Sequence, residues 1–346
     1  MKMTAAVLEQ CGKPLQLLDL EIPKLRRGQV LVKIAYSAIC RSQLMEIEGL
    51  RGHDKWLPHL LGHEASGVVV EVGPEVTKVK PDDEVILTWI KSSGIESPTP
   101  VFTHNGRTIN AGPVTTFSNY SVVSENRVVM KAGGLDLESA VLFGCALATG
   151  AGMAVHEIKA LDTDPILVLG LGGVGMAALL ALVANGNKRI LAVDKDPAKC
   201  ALAKSFGVDA KQFSTAEELF SSVKDFSPDG VKYCIEAGGS ADTIELGFAT
   251  LHPHHGTLLF ASHPPEGDTI SLDPHQLICG KQIRGSWGGG TSPDVDVPIL
   301  AELLTGPRTP LKLLTRSKFP LTKINEAVSQ FSTGRVFRSI LVMEHD

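Results

Sequence analysis

The sequence predicts a two-domain α/β protein, a doubly wound parallel sheet joined to a β-rich domain, and three observations carry that prediction. Its 346 residues suggest about two domains of ordinary size. The first 130 residues read as short β-branched runs separated by Gly and Pro, whereas the stretch from about residue 134 alternates apolar strands with Ala/Leu-rich helices. A glycine-rich turn, Gly170-Leu171-Gly172-Gly173-Val174-Gly175, stands where one such strand gives way to a helix. Composition agrees: 43% hydrophobic and 21% charged residues suit a chain with a full core. The net charge of −5 argues against a nucleic-acid partner, whose domain is usually basic.

In the β-rich part the expected strands are 29–35, 67–72, 84–89 and 120–123, with turn signals such as Val72-Gly73-Pro74 between them. Residues 91–116, rich in Ser, Thr, Pro and Gly, read as a long excursion. The Ala/Leu-rich run 137–151 predicts one helix. Beyond it, strands over 166–169, 189–193, 231–235 and 257–261 alternate with helices over 176–185 and 197–206, the pattern of a parallel sheet. A last strand over 338–343 closes the chain. This places the β-rich domain at 1–148 and 290–346 and the nucleotide domain at 149–289. Residues 166–184 form an uncharged run long enough to cross a bilayer. Its early glycines make a buried strand turning into a buried helix the better reading. MKMTAAVLEQ lacks the apolar core of a signal peptide. The expectation is a cytoplasmic protein that needs neither membrane nor nucleic acid.

The turn at 170–175 is a G-x-G-x-x-G between strand and helix, the dinucleotide fingerprint of a Rossmann domain. Gly170 makes the tight turn, Gly172 lets the backbone approach a pyrophosphate, and Gly175 lets helix and strand pack closely. The helix N-terminus, with Gly173 and Val174, offers free N–H groups to phosphate. The strand RILAVD ends in Asp194, 24 residues after Gly170, where an acid accepts the adenosine ribose hydroxyls and repels a 2′-phosphate. NAD(H) is therefore expected over NADP(H), with the neighbouring Lys195 as the one feature tolerant of phosphate.

Six cysteines lie at 11, 40, 145, 200, 234 and 279, no two closer than 29 residues, so no CxxC motif exists. Three short motifs change the reading: Ile39-Cys40-Arg41-Ser42, Gly62-His63-Glu64 and Gly144-Cys145-Ala146. Together with the glycine turn they make the chain resemble a zinc-dependent alcohol dehydrogenase of the medium-chain dehydrogenase/reductase family, over nearly its whole length. The resemblance implies a GroES-like β-rich catalytic domain, with Cys40, His63 and Cys145 as ligands of one catalytic zinc. Two thiolates and an imidazole suit Zn²⁺ and leave one tetrahedral position open. The other four cysteines read as small buried hydrophobes.

The same resemblance assigns further roles. Glu64 is expected behind the metal, able to coordinate it transiently, and Ser42 to receive the proton of the substrate oxygen. Arg41 and Arg338 are expected on the cofactor pyrophosphate. Trp89 reads as a pocket wall or as core. Three departures stand out. The segment 88–116 lacks the four cysteines of a structural-zinc lobe, with Ser93 and Glu96 where cysteines are expected, so one zinc per chain is expected. Gln43 replaces an Asp that orients the metal site. Met45 occupies the place of a proton-relaying His, leaving His53 or His59 as possible helpers. The implied reaction is reversible alcohol–carbonyl oxidoreduction on a small alcohol, aldehyde or ketone, by a homo-oligomer (dimer or tetramer). Two alternatives stay open: a zinc-free quinone or enone reductase of the same superfamily, and a non-catalytic NAD-binding protein.

Overall fold

The structure, a computed structural model, describes residues 1–306, 311–334 and 336–345. It forms two compact units: Met1–Cys145 with Ser292–Ala301 and Leu311–Asp346, and Ala146–Thr291 with Glu302–Pro310. No single described helix is long and apolar enough to cross a membrane. The uncharged run 166–184 divides into the strand Ile166–Leu169 and the twelve-residue helix Gly173–Ala184.

The first unit is β-rich, as its β-branched runs require. One sheet has five strands in the order His59–Leu60, Lys2–Leu8, Gln16–Glu21, Phe102–His104, Arg107–Ile109. A second is built around Gln29–Ala38, which pairs antiparallel with Glu64–Val72, Tyr120–Ser124 and Ser339–Val342. Glu64–Val72 pairs in turn with Glu84–Thr88. The apolar faces of this sheet, including Val30, Val32, Ile34, Ala65, Val69, Val85 and Leu87, are fully buried in one core cluster.

The excursion over 91–116 is more ordered than its composition suggests. It contains the hairpin Phe102–His104 to Arg107–Ile109, turned by Asn105 and Gly106. Both have positive φ, as a two-residue hairpin turn with the right twist demands. Residues 93–98 are held by hydrogen bonds that involve side chains. Glu125 accepts the N–H groups of Thr77, Lys78 and Ile95 at 2.7–2.8 Å. Burial pushes its carboxyl up, but these three donors outweigh that and hold it below the usual range. Ser93 donates to Asp294, Ser97 Oγ to the Arg27 carbonyl, and Gln29 Nε2 to the Pro98 carbonyl. Glu96 pairs with Lys91. The segment is thus pinned by hydrogen bonds to the carboxylates of Glu125 and Asp294 and to backbone carbonyls.

The second unit carries a six-stranded, all-parallel sheet in the order Asp209–Gln212, Ile190–Asp194, Ile166–Leu169, Tyr233–Glu236, Thr257–Phe260, Gln282–Gly285. This is the doubly wound 3-2-1-4-5-6 arrangement, whose order reverses beside the first strand. Its strands read as apolar runs because helices cover both faces. Helix Ala146–Gly152 packs so closely on Gly173–Ala184 that a Cβ at Gly150 would sit 2.1 Å from the Val174 carbonyl oxygen.

The helix expected over 137–151 is broken. Residues Leu137–Ala140 are α-helical, Val141–Gly144 form a 3₁₀ turn, and Cys145 leaves helical geometry at φ −151°, ψ −72° before Ala146–Gly152 resumes. The physical reason is a close approach. A Cβ at Gly144 would lie 2.4 Å from the Leu87 carbonyl oxygen and 2.7 Å from the Glu64 Cβ. Glycine there lets the chain touch the sheet and delivers Cys145 to it.

Candidate functional site

Strand register assembles the site in the first unit. Ser37 lies opposite Ala65, so two steps further along the antiparallel pair Ile39 and Cys40 draw level with His63. Glu64 lies opposite Thr88, which brings Trp89 beside His63, with ring centroids 6.4 Å apart. The break at Gly144-Cys145 supplies the third group. One ligand atom each from Cys40, His63 and Cys145 lies within 4.8 Å of the others, the one such convergence among the described residues.

The two thiols and the imidazole act strongly on one another. A hydrogen bond from Cys145 pulls the Cys40 thiol well below its usual range, against burial, with Arg338 and His63 assisting. The same bond and burial push Cys145 well above its range. Burial pulls His63 down, but the neighbouring Cys40 outweighs it and the imidazole ends raised. The His63 Nδ1 is engaged by Gln43 Nε2 at 2.6 Å, with Ser42 Oγ at 3.4 Å. Its Nε2 is buried with no hydrogen-bond partner. An orphaned imidazole nitrogen facing two thiols is a donor set of the right softness for Zn²⁺, so these residues fit the metal.

Glu64 is fully buried, and its carboxylate pairs with Arg338, which is 4% exposed. Arg338 Nη1 also donates to the Ile39 carbonyl at 3.0 Å. This is a different task from the pyrophosphate contact expected of it. The strand Ser339–Val342 runs antiparallel to Gln29–Ala38, so Arg338 emerges beside Ile39 and its guanidinium neutralises Glu64 behind the thiols. Gln43, read from sequence as a departure, turns out to be the closest partner of His63. Arg41 is exposed at the first position of helix Arg41–Ile47, and Ser42 follows it half-buried. Met45 is buried. His59 is taken up by Asp54 at 2.7 Å and the Leu60 carbonyl at 2.9 Å.

In the second unit the glycine turn has the expected geometry. Gly170 has φ +90° and packs against the Ala237–Gly238 backbone, where a Cβ would collide at 2.7 Å. A Cβ at Gly175 would sit 1.8 Å from the Gly170 carbonyl oxygen. At Gly172, by contrast, nothing lies within 4 Å of the missing Cβ, which leaves the backbone open to a ligand. Gly172 caps the helix, whose first N–H groups, at Gly173 and Val174, face the turn unsatisfied. Asp194 ends its strand and accepts the N–H of Leu171 at 2.6 Å and of Asp196 at 2.9 Å, which ties the acid to the turn. Lys195 is exposed.

Sequence reasoning passed over Glu236. It is fully buried at the end of the strand beside Ile166–Leu169, and its Oε1 accepts from the N–H of Gly238, the N–H of Gly239 and Thr243 Oγ1. It fixes the backbone on which Gly170 packs. The strand-end acid followed by Ala237-Gly238-Gly239 was the available signal. Of the remaining cysteines, Cys200 and Cys234 are buried as expected, whereas Cys11 and Cys279 are half-buried.

Comparison with known proteins agrees with both halves. Residues 26–133 match the alcohol dehydrogenase GroES-like domain, and residues 173–305 match the zinc-binding dehydrogenase domain. Among solved structures, an alcohol dehydrogenase zinc-binding domain protein from Burkholderia ambifaria is 26% identical, with TM-score 0.89 and all of both chains covered. Benzyl alcohol dehydrogenase from Acinetobacter calcoaceticus is also 26% identical at TM-score 0.89, covering 99% of this chain and 100% of that one. At 21% identity, 2R,3R-butanediol dehydrogenase from Bacillus subtilis shares the fold with TM-score 0.74, over 98% and 99% of the two chains.

Proposed function

We propose, from the premise that this chain belongs to the medium-chain dehydrogenase/reductase family of alcohol dehydrogenases, that it is a zinc-dependent, NAD(H)-linked enzyme interconverting a small alcohol with its aldehyde or ketone. The observation that carries the reading is the convergence of Cys40, His63 and Cys145 around an unpartnered His63 Nε2. Bound there, zinc supplies the Lewis acidity that makes an alcohol hydroxyl acidic near neutral pH. Cys40, His63 and Cys145 would hold the metal, and the buried Glu64–Arg338 pair would balance charge beside them. Ser42 Oγ would take the alcohol proton while passing its own hydroxyl proton outward to solvent. Trp89, close to His63, walls the pocket on one side. The helix N-terminus at Gly173 binds pyrophosphate and Asp194 the adenosine ribose. NAD(H), when bound, would supply the hydride acceptor or donor for the carbinol carbon.

A reductase without metal has no use for two thiols and an imidazole gathered this way, which favours the zinc reading over its zinc-free rival. Six free cysteines support a reducing, cytoplasmic setting. The strand Gln282–Gly285 ends the parallel sheet with exposed residues, and Ile278 and Trp287 near it are 82% and 79% exposed, which supports a homo-oligomer.

The test is turnover with NAD⁺ across a panel of alcohols, beginning with aromatic primary alcohols because of the benzyl alcohol dehydrogenase relative. No reduction of NAD⁺ with any alcohol, and none of NADH-driven carbonyl reduction, would sink the reading. NAD⁺ is expected to give the higher kcat/KM, since a 2′-phosphate beside Asp194 meets like charge. A preference for NADP⁺ would overturn that assignment. Elemental analysis is expected to find one tightly held zinc per chain, and two would contradict the single-site reading.

A further inference from the structure

We infer that Gln43 is a positioning residue that weakens zinc binding, because its one oxygen must serve two N–H donors when the metal is in place. The inference rests on the zinc reading above. Gln43 is the third residue of helix Arg41–Ile47, whose N-cap is Cys40. Its side chain reaches back to the cap, where the Cys40 N–H donates to Oε1 at 3.0 Å. A backbone N–H only donates, so the atom facing it must be the oxygen. That choice turns the amide NH₂ toward His63 Nδ1, at 2.6 Å. The NH₂ group also only donates, so Nδ1 must accept. A neutral imidazole then carries its proton on Nε2, the nitrogen that faces the two sulfurs.

A metal at the trio needs the Nε2 lone pair. The neutral ring must then hold its proton on Nδ1, and that N–H points at the Gln43 NH₂. Turning the carboxamide over satisfies Nδ1 but sets the NH₂ against the Cys40 N–H. Either way one buried donor is left without an acceptor, at a residue that is 2% exposed. Ser42 Oγ, at 3.4 Å from Nδ1, is too far for a hydrogen bond of full strength. A carboxylate of the same length removes the conflict, with one oxygen for the Cys40 N–H and the other for Nδ1–H. Groups that orient a ligating His in this way change metal affinity about 10–100-fold.

The isosteric substitution Gln43→Glu tests this on the full-length protein. Zinc is stripped and returned, its dissociation constant is measured by competition with a chromogenic chelator, and thermal unfolding is followed with and without zinc. We expect zinc to bind at least about 10-fold more tightly to the variant. We also expect zinc to raise the melting temperature of the variant by more than it raises that of wild type, as tighter binding to the folded state requires. A residue that merely packs would leave the zinc-induced shift unchanged. Should Gln43→Glu fail to fold, Gln43→Asp is read by the same criterion. A folded variant with equal or weaker zinc affinity overturns the inference while leaving the zinc reading intact. Failure of wild type and variant alike to take up zinc overturns both.

Discussion

Replacing Cys145 with alanine is expected to remove tight zinc binding and depress alcohol oxidation on the order of 10³-fold or more, the worth of several kcal/mol of Lewis-acid stabilisation. The effect reaches beyond one lost ligand. Cys145 is also the partner whose hydrogen bond most strongly favours the Cys40 thiolate, so both sulfurs change together. The fold should survive, because the change removes one sulfur from a buried site. The break in the helix is held by Gly144 against Leu87 and Glu64 rather than by the thiol. The glycine turn belongs to the other compact unit, so NAD⁺ binding should persist. Metal content by elemental analysis, turnover, and cofactor binding by fluorescence titration separate these effects. A variant that keeps full turnover with its zinc would remove Cys145 from the metal centre.

Much of this was legible before any coordinates, and for a physical reason. The parallel sheet announces itself because strands buried on both faces are continuous apolar runs, and the turn at 170–175 because three of its positions tolerate no Cβ or need open backbone. The ligand trio was legible as motifs, but its geometry was not. Nothing in the composition of 137–151 marks the break at Cys145, since Ala and Leu favour an unbroken helix. The break is imposed by tertiary contact at Gly144. The pairing of Arg338 was out of reach for a similar reason. Its partner Glu64 is 274 residues away, and only the antiparallel register of Ser339–Val342 on Gln29–Ala38 brings them together. The hairpin at Asn105-Gly106 is the opposite case. Its signal was local and sufficient, and was lost in a segment whose Ser, Thr and Pro content suggested a loop. Glu125 and Glu236 hide more deeply. A carboxylate that caps several backbone N–H groups looks, in sequence, like any surface acid.

Ser42→Ala should leave zinc content and NAD⁺ binding near wild type while lowering kcat for alcohol oxidation about 10²–10⁴-fold, the range for loss of a positioned proton acceptor. The placement is favourable: Ser42 is the second residue of helix Arg41–Ile47, two beyond the ligand Cys40, and its Oγ lies 3.4 Å from His63 Nδ1. The hydroxyl is half-buried, so it has access both to the trio and to solvent. The loss of one oxygen opens little space and should not unfold the helix, whose N-cap bond runs through Gln43 rather than Ser42. Ser42→Thr, which keeps the hydroxyl, should retain most of the turnover. Deuterated alcohol completes the test. If hydride transfer limits the alanine variant, the deuterium isotope effect on kcat should rise above that of wild type, where cofactor release is free to limit turnover. Unchanged turnover together with a clear isotope effect in Ser42→Ala would show chemistry proceeding without the hydroxyl. The proton would then leave by a route that bypasses Ser42.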